Sequence, residues 1–340
     1  GGERSNVTAI LLVKTHAFGD ALLSTPAARA LLARNHRVTV LAGPSSRPVW
    51  ERQVGLESVI CAPFPPSGPA GALALLGWTL RMRRRLRRFP LVVYLGRSAS
   101  VRRWIRLLTG SPMRSGGDSP LGGWETVVPQ RPQELASEAF ARMAGAVPDS
   151  LRPSFEVRAS ELEWAASRLE SGRWLAVAPG GGDNPRDSVP EKRWTGSGFA
   201  RVCREALRQG TRVVLLGGPS DVRAAAEVER QVPEVMNLTG VTDWGKTAAI
   251  LKTAGRFLGC DSGPAHLAAA VGAHSVVLFG PTSPGPLYAP GLVEPVLSPA
   301  PCSPCYENMP FPGCSRDGSC MAQIDPDSVV AALEPVLEGG

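Results

Sequence analysis

A short stretch near residue 260 combines groups that suit the binding of an anion. The chain reads Asp261-Ser262-Gly263-Pro264 after an apolar run that predicts a strand, and an Ala-rich stretch that predicts a helix follows. A helix N-terminus offers N–H groups and the positive end of a dipole, which suits a diphosphate. Asp261 would repel that diphosphate, so we expect its carboxylate to hold hydroxyl groups of an attached sugar. His266 in the same helix belongs to this site or is an ordinary buried histidine.

A second loop carries glycines and a rare lysine. Gly180, Gly181 and Gly182 follow a predicted strand, and glycines let backbone N–H groups approach an anion closely. Lys192 is one of only four lysines, and it stands shortly before a predicted helix, where it could neutralise a phosphate. The alternative interpretation is a flexible loop with a surface lysine.

Two further turns place an aspartate where a strand gives way to a helix. Asp221 follows Gly217 and Gly218 in a turn that resembles a dinucleotide fingerprint only loosely, because G-x-G-x-x-G is absent. Asp221 therefore accepts from a ribose hydroxyl or caps its helix. Asp20 follows Gly19 after the first predicted strand, and it caps a helix or acts as a general base toward a ligand.

The elements that must position these residues alternate regularly. Short apolar runs and Ala/Leu/Arg-rich stretches predict an α/β fold with parallel sheets covered by helices on both faces. In such sheets ligands bind beyond the carboxyl ends of the strands. The predicted strands are 8–13, 37–41, 58–61, 91–95, 174–178, 212–216, 235–238, 256–259 and 275–279, and the predicted helices include 21–33, 198–208, 221–231 and 247–253.

The alternation is interrupted between about 110 and 160 by a loop-rich, polar segment with a single predicted helix in ELASEAFARMAGAV. The simplest organisation is two Rossmann-like domains, residues 1–160 and 161–325. We expect residues 326–340 to form a terminal helix that packs back on the first domain.

Composition limits the class of protein. The 340 residues are 43% hydrophobic and 20% charged, as in globular domains, and no apolar run reaches the 18 residues typical of a spanning helix. The net charge is +7, and residues 81–89 hold six arginines. This run suits phosphate groups, an acidic glycan or an anionic membrane, or it is a solvated helix face. Zinc-finger, basic-zipper and RNP signatures are absent, so we expect no nucleic acid partner.

Seven cysteines divide into two groups. Cys61, Cys203 and Cys260 sit in apolar contexts and predict core positions, and no pattern of a secreted disulfide scaffold is visible, so a reducing, cytoplasmic setting is expected. The remaining four have spacing that predicts a structural zinc site, with free thiols, disulfides or an iron–sulfur cluster as alternatives: Cys302, Cys305, Cys314 and Cys320.

One motif indicates a different class of protein. GVTDWGKT (240–247) matches the pattern of the phosphate-binding loop of nucleoside triphosphatases. Trp244 stands where such a loop needs a small residue, and the preceding predicted strand is short and polar. Both features disfavour a nucleoside triphosphatase, which stays a minor alternative, and the family resemblance described next implies an ordinary turn into a helix.

Several segments together resemble glycosyltransferase family 9, the heptosyltransferases of lipopolysaccharide core synthesis. They are GDALLSTPAARALL, KRW, the long run from NLTGVTDWGKT to LFGPTSP, and the terminal CSPCYENMPFPGCSRDGSCMAQI. The likeness touches both halves of the chain and is most specific over 237–284. It implies a GT-B fold, two Rossmann-like domains with parallel sheets facing across a cleft, and inverting transfer without a catalytic metal.

The resemblance also implies roles for individual residues. Asp20 would be the general base and Lys192 would bind phosphate. The Asp-Ser-Gly turn would bind the donor sugar and the diphosphate. The donor-binding set implied in this way is Gly180, Gly181, Lys192, Gly217, Asp221, Thr239, Asp261, Ser262, Gly263 and His266.

The implied partners are a nucleotide sugar, ADP-heptose by family default, and an anionic glycan or lipid-linked acceptor. Peripheral contact with the inner face of the cytoplasmic membrane would place Leu75, Leu76, Trp78 and Leu80, beside the arginine run, on an anionic leaflet. A nucleotide-sugar epimerase on the same scaffold and a non-catalytic sugar-nucleotide-binding protein are the alternatives.

Overall fold

The computed structural model describes residues 7–181, 189–305, 313–314 and 319–338. The chain divides into two compact units, unit 1 from Gly1 to Ser154 and unit 2 from Phe155 to Gly340. Each unit has its own apolar core. The predicted α/β class is confirmed in both.

Unit 1 is built on a parallel sheet whose six strands lie in the order β3-β2-β1-β4-β5-β6. The central strand β1 is buried from Ile10 to Lys14, as expected for a parallel strand covered on both faces. The strands are β1 (Ala9–Lys14), β2 (Arg37–Ala42), β3 (Ser58–Cys61), β4 (Leu91–Tyr94), β5 (Met113–Gly116) and β6 (Glu125–Val128).

The helices of unit 1 differ from prediction at one place that concerns the site. The single helix predicted over 21–33 is two helices that break at Ser24, where Pro26 in the first turn of the second helix supplies no N–H to continue the first. The helices are α1 (Phe18–Leu23), α2 (Thr25–Ala33), α3 (Arg47–Trp50), α4 (Gly68–Leu86), α5 (Ala99–Thr109) and α6 (Ala136–Ala144).

Unit 2 repeats the arrangement. Its parallel sheet has the order β12-β11-β10-β7-β8-β9, which is the strand order of unit 1 read in the opposite direction. The strands are β7 (Trp174–Ala178), β8 (Arg212–Leu215), β9 (Met236–Asn237), β10 (Arg256–Cys260), β11 (His274–Phe279) and β12 (Glu294–Leu297).

Seven α-helices and two short 3₁₀ turns, Pro190–Lys192 and Pro219–Asp221, are found in the described part of unit 2. The helices are α7 (Ala159–Arg168), α8 (Gly196–Arg208), α9 (Val222–Gln231), α10 (Trp244–Ala254), α11 (Gly263–Val271), α12 (Ser319–Ala322) and α13 (Pro326–Glu338). No helix among the described residues is both long and apolar enough to cross a membrane.

The unit boundary falls a few residues earlier than predicted. The guanidinium of Arg29 donates to the carbonyls of Ser150 and Arg152 and to the hydroxyl of Ser154, and the Ser154 N–H donates to Thr25. These bonds hold residues 150–154 on unit 1, so the chain changes units at 154/155.

The expectation that the terminal helix packs back on the first domain is wrong for its apolar face. Val329, Leu333 and Leu337 of α13 are buried in the core of unit 2. Asp327 pairs with Arg201 of α8, which adds a polar contact to the same unit. Burial of the apolar stripe is the larger driving force, and it decides where the helix packs.

Candidate active site

The strand order of each sheet reverses at one point, and the predicted residues follow the strands at these points. In unit 1 the reversal lies between β1 and β4, and Asp20 follows β1. In unit 2 it lies between β7 and β10, and Gly180 and Asp261 follow these two strands. The crevice at such a switch point is where open α/β sheets bind ligands.

In unit 1, Asp20 is an accessible carboxylate held by a buried cation. It lies in the first turn of α1, whose N-cap, Ala17, makes no side-chain cap bond, so Asp20 is not the cap. The Nζ of Lys14, the last residue of β1, lies 3.1 Å from an Asp20 oxygen. The Lys14 side chain is 7% exposed and lies over the Phe140 ring, whereas the Asp20 side chain is 50% exposed. The carboxylate can therefore meet a ligand while the lysine orients it.

In unit 2, Asp261 is a buried carboxylate with several cationic and hydroxyl contacts. Lys192 Nζ donates to its Oδ2 at 2.8 Å, and the Thr282 hydroxyl donates to the same oxygen at 2.9 Å. His266 Nε2 lies 3.7 Å from the other oxygen, Oδ1. Only 4% of the Asp261 side chain is exposed.

These contacts keep Asp261 ionised. Burial by itself would raise the pKa of Asp261, but the charges of Lys192 and His266 and the hydrogen bonds from Lys192 and Thr282 outweigh it. The net result is a pKa below the ordinary value for an aspartate. Asp261 is therefore a fixed acceptor of hydrogen bonds rather than a proton carrier.

The loops after β7 and β8 are joined through Asp221. Its two oxygens accept the backbone N–H groups of Gly181, at 3.0 Å, and Gly218, at 2.8 Å. Gly180 leaves no room for a side chain, because a Cβ there would lie 2.0 Å from the Asp221 carboxylate. The alternative that Asp221 caps α9 with its side chain is wrong, since that helix has no side-chain cap bond at Asp221.

Gly217 and Thr239 extend the same group of loops. A Cβ on Gly217 would come within 2.7 Å of the Asp221 Cβ and 3.1 Å of the Thr239 methyl. The Thr239 hydroxyl is buried without a hydrogen-bond partner in the described part of the chain. Thr239 thus brings a polar group to this edge of the sheet.

Gly181 connects these loops to the Asp261 cluster. Its φ of +118° favours glycine, and a Cβ there would lie 3.1 Å from the Ser262 Cβ. Its carbonyl accepts from Arg193 Nε at 2.7 Å. Ser262 is the N-cap of α11, so the helix N-terminus, Arg193 and Lys192 converge beside Gly181. Backbone N–H groups and cations at one place suit an anionic ligand.

All ten residues predicted to bind a donor thus belong to one continuous region of unit 2. Gly182, which the sequence also singles out, lies outside the described residues. His266 stacks on Tyr288, with ring centroids 4.8 Å apart and planes 10° apart. Burial raises the pKa of Tyr288 well above its usual value, so this phenol stays protonated beside the cluster.

Four residues of the two sites escaped the sequence analysis: Lys14, Arg193, Thr282 and Tyr288. A signal existed for Lys14, because a lysine at the end of an apolar strand needs a partner when it is buried. Thr282 lies in Gly-Pro-Thr-Ser-Pro after β11, where a hydroxyl also reaches the ligand edge. Arg193 belongs to the KRW segment, which carries part of the family resemblance, but no role was assigned to it. Nothing local marks Tyr288, since its stacking partner His266 is 22 residues away.

The GVTDWGKT segment, which matches the pattern of a phosphate-binding loop, forms an ordinary turn into the N-terminus of a helix. Asp243 caps α10 by accepting the Lys246 N–H at 2.8 Å. Lys246 Nζ lies over the Trp164 ring, 5.1 Å from its centroid. The predicted turn into a helix is what the structure contains.

The four C-terminal cysteines carry thiols, and no group of three or more His, Cys, Asp or Glu side chains in the described ranges is placed to hold a metal. Segments 306–312 and 315–318 between them lie outside those ranges. Burial, and then the neighbouring thiols of Cys302 and Cys314, raise the pKa of Cys305. Burial, and then the other three thiols, likewise raise the pKa of Cys320. Four thiolates would suit zinc or iron.

The chain is similar to a known family of enzymes. The model of glycosyltransferase family 9 (heptosyltransferase) matches residues 124–309, more than half of the chain. Lipopolysaccharide heptosyltransferase 2 of Escherichia coli K12 is 26% identical over 300 residues, which cover 81% of this chain and 83% of that protein. A shorter match, 32% identical over 110 residues, covers 31% of lipooligosaccharide heptosyltransferase 2 of Haemophilus influenzae.

A solved structure is similar along nearly the whole chain. The E. coli ADP-heptose lipopolysaccharide heptosyltransferase II structure aligns with a TM-score of 0.73 at 21% identity, over 97% of this chain and 99% of that one. This likeness concerns the fold, and it agrees with the two Rossmann-like units of a GT-B protein.

Proposed function

This chain belongs to glycosyltransferase family 9, and we propose that it moves a heptose from a nucleoside diphosphate to a hydroxyl of a lipopolysaccharide core acceptor, with inversion at the anomeric carbon. The observation that carries the proposal is the Lys192–Asp261–Thr282 cluster beside the N-terminus of α11. It combines a cation for the diphosphate with a fixed, ionised acceptor for sugar hydroxyls.

The donor is proposed to be ADP-heptose, and the acceptor an anionic, lipid-linked core glycan at the inner face of the cytoplasmic membrane. The E. coli relatives named above support both choices by their names. Within unit 2, Asp221 is proposed to stand near the ribose, because it already organises the loops after β7 and β8.

Asp20 is the proposed general base. An acceptor hydroxyl donates its proton to the Asp20 carboxylate while its oxygen forms a bond to the anomeric carbon. The bond between that carbon and the diphosphate oxygen breaks on the opposite face, and the nucleoside diphosphate leaves with the electron pair. The 50% exposure of Asp20 and its contact with Lys14 support this role, because a base must be both reachable and oriented.

Lys192 and α11 are proposed to stabilise the leaving diphosphate. The lysine ammonium carries three N–H donors, so it can donate to Asp261 and to a phosphate oxygen together. The N–H groups at the start of α11 face the same place. Such preorganised charge typically contributes a factor of about 10²–10³ to the rate for each group.

Asp261 is proposed to bind sugar hydroxyls rather than to exchange protons. Its pKa lies below the usual range, and one of its oxygens, Oδ2, accepts from both Lys192 and Thr282. A carboxylate in this state keeps its charge throughout the reaction, so it can orient the sugar without competing with Asp20 for the proton.

The proposal is tested with a panel of nucleotide sugars. We expect ADP-heptose to raise the melting temperature of the protein more than other nucleotide sugars, because a ligand that binds only the folded state stabilises it. Transfer to a core acceptor would then be followed by mass spectrometry. Conversion of the donor in the absence of acceptor would instead indicate an epimerase, and donor binding without any transfer would indicate a binding protein.

A structural zinc ion at Cys302, Cys305, Cys314 and Cys320 is a second, separate proposal, with no part in the chemistry. The chemistry of the donor set supports it, because four thiolates are a common ligand set of structural zinc, although the described residues do not group three of them at one point. Elemental analysis of the purified protein is expected to give about one zinc per chain, lost in a Cys302→Ser/Cys305→Ser variant. Metal-free protein that keeps its melting temperature after chelation would contradict it.

A further inference from the structure

Positive charge in unit 1 is concentrated in one acid-free segment. Between Glu57 and Asp118 the chain contains no Asp or Glu over 60 residues, yet it contains eleven arginines. This segment includes α4 and α5, two adjacent helices of unit 1. Any surface that these helices expose is therefore strongly cationic.

The two sides of α4 differ in what they meet. Leu75, Trp78 and Met82 face inward and pack against the core of unit 1. Leu73, Leu76 and Leu80 face outward, with 70%, 53% and 62% of their surface exposed. Leu75 and Trp78, which the sequence analysis placed on a membrane, are thus partly buried against the core, and the outward leucines are the better candidates for such a contact. The outward leucines lie at spacings of three and four residues, so they form one stripe on the helix.

Arginines continue this apolar stripe toward the C-terminal end of α4. Arg84 follows Leu80 by one turn, and Arg81 and Arg85 flank it. All three are exposed, and none forms an ion pair with a described residue. On the adjacent α5, Arg103 and Leu107 are exposed one turn apart. We name the six residues Leu73, Leu76, Leu80, Arg81, Arg84 and Arg85 the α4 patch.

We propose that the α4 patch docks unit 1 on an anionic lipid bilayer, with α4 lying in the plane of the interface. Arginines alone would fit any polyanion. Three exposed leucines in line with them add an apolar surface that a soluble glycan or a nucleic acid does not cover, whereas the boundary between headgroups and acyl chains does. The charge of the patch complements anionic headgroups.

The position of α4 agrees with the proposed function. The inference rests on that function, because it assumes a lipid-linked acceptor. The helix begins seven residues after β3 ends, at the carboxyl edge of the sheet, and Asp20 follows β1 at that same edge. The apolar end of the patch therefore lies at the edge that carries the proposed base. A bilayer held there would present a lipid-linked acceptor from the side on which Asp20 is exposed.

Vesicle binding by the full chain tests the inference. Vesicles of phosphatidylcholine alone would be compared with vesicles that also contain phosphatidylglycerol, at low and high salt. We expect binding only to the anionic vesicles, weakened by salt. An arginine near an anionic surface is worth about a factor of five in partitioning, so R81Q/R84Q/R85Q should bind roughly a hundredfold more weakly.

The leucines are tested separately. L73S/L76S/L80S should lose at least about tenfold in binding to the same vesicles, because apolar burial is removed without any change in charge. The matched charge control is R158Q/R168Q/R230Q, three exposed arginines of unit 2, which should bind nearly as well as the wild type. The matched apolar control is V147S/V241S, at two other exposed positions.

Four results would overturn the inference. The first two are no preference for anionic vesicles and equal losses of vesicle binding in the two arginine triple variants. The third is a changed oligomeric state of L73S/L76S/L80S with unchanged vesicle binding, which would indicate contact between copies. The fourth is a raised KM of R81Q/R84Q/R85Q for a delipidated acceptor, which would indicate a glycan subsite. Transfer to the delipidated acceptor tests the proposed function without a membrane, so the two can fail independently.

Discussion

The two units share one strand order but differ in how deeply each buries its aspartate. In unit 1, Asp20 is half exposed and its partner Lys14 is buried. In unit 2, Asp261 is almost fully buried and Lys192 is somewhat more exposed. In addition, Asp261 accepts from Thr282 and lies near His266, and its pKa is lowered.

This difference separates two kinds of chemistry. A half-exposed carboxylate beside a buried cation is accessible to an acceptor hydroxyl and to its proton. A buried carboxylate with several partners is costly to disturb, and it keeps both its charge and its direction. One scaffold, used twice, thus supplies a group suited to react and a group suited to hold.

The largest effect is predicted for Asp20→Asn, which tests whether the exposed carboxylate is the one that reacts. The change removes the proposed base and also the charged partner of the buried Lys14 ammonium. We expect kcat to fall by about 10²–10⁴. The free energy of unfolding should fall by about 1–3 kcal/mol, because the buried ammonium loses its charged acceptor. Steady-state kinetics and urea melts measure the two effects.

Asp118→Asn is the matched control, since Asp118 is also exposed and paired, with Arg97, in the same unit. It should leave kcat unchanged. Full activity of Asp20→Asn would remove Asp20 from the mechanism.

In unit 2, Lys192→Met should affect rate and stability together. Loss of one preorganised charge predicts a fall of about 10²–10³ in rate. It also weakens the pairing of a buried carboxylate, which costs up to about 3–5 kcal/mol of the free energy of unfolding. The measurements are kinetics, donor binding and urea melts.

The double variant Lys192→Met/Asp261→Asn separates the two effects. It should recover much of the lost stability, because the uncompensated charge is gone, while activity stays low. If Lys192→Met alone is as stable as the wild type, the contrast in burial between the units has little energetic meaning.

Thr282→Val tests the contribution of a single hydrogen bond to Asp261. The hydroxyl donates to an ionised acceptor, so its loss should cost about 1.5–3 kcal/mol of stability and raise the pKa of Asp261. We expect weaker donor binding as a higher KM. Thr282→Ser keeps the hydroxyl and should restore both values; equal defects in the two variants would mean that the methyl group matters instead.

The predicted effect that is smallest near neutral pH is an alkaline loss of stability, which should be larger in unit 2 than in unit 1. Burial raises the pKa of Cys203 and Cys260 to about 12, from an ordinary value of 9.0. The folded unit therefore binds more protons than the unfolded chain above about pH 9, so stability is complete below that pH and falls as the pH rises toward 12. In unit 1, burial also raises the pKa of Cys61, but this is a single thiol and it is only partly buried.

Hydrogen exchange at a series of pH values resolves the two units. Protection in unit 2 should fall before protection in unit 1, and Cys203→Ala should reduce the dependence by removing one of the two thiols. The Tyr288 phenol, whose raised pKa acts in the same direction, would leave a residual slope. Equal behaviour of the units would contradict the prediction.

Much of the fold was predictable because its signals are local. The nine predicted strands all exist, and their ends agree to within about two residues. Three more strands, β5, β6 and β12, were missed. β5 (Met-Arg-Ser-Gly) and β12 (Glu-Pro-Val-Leu) contain residues with weak strand preference, and pairing with neighbours makes them strands.

The site was predictable in its members but not in its pairings. Asp20 and Asp261 stand out because each follows the end of a strand, and the strand pattern is visible in the sequence. Lys192 stands out because lysine is rare in this chain and because it shortly precedes a helix. That Lys14 orients Asp20, or that Thr282 and Lys192 share one oxygen of Asp261, depends on contacts between loops. Lys192 and Asp261 are 69 residues apart, so no local spacing encodes their contact.

The sequence by itself determined the alternation of strands and helices, the residues at the strand ends, and an acid-free, arginine-rich segment, because each depends only on residue types at short spacing. Only the tertiary structure decided which carboxylate is buried, which leucines of α4 face outward and on which unit the last helix packs. These properties follow from strand order and from competition for apolar burial, which bring together residues that are far apart in the chain.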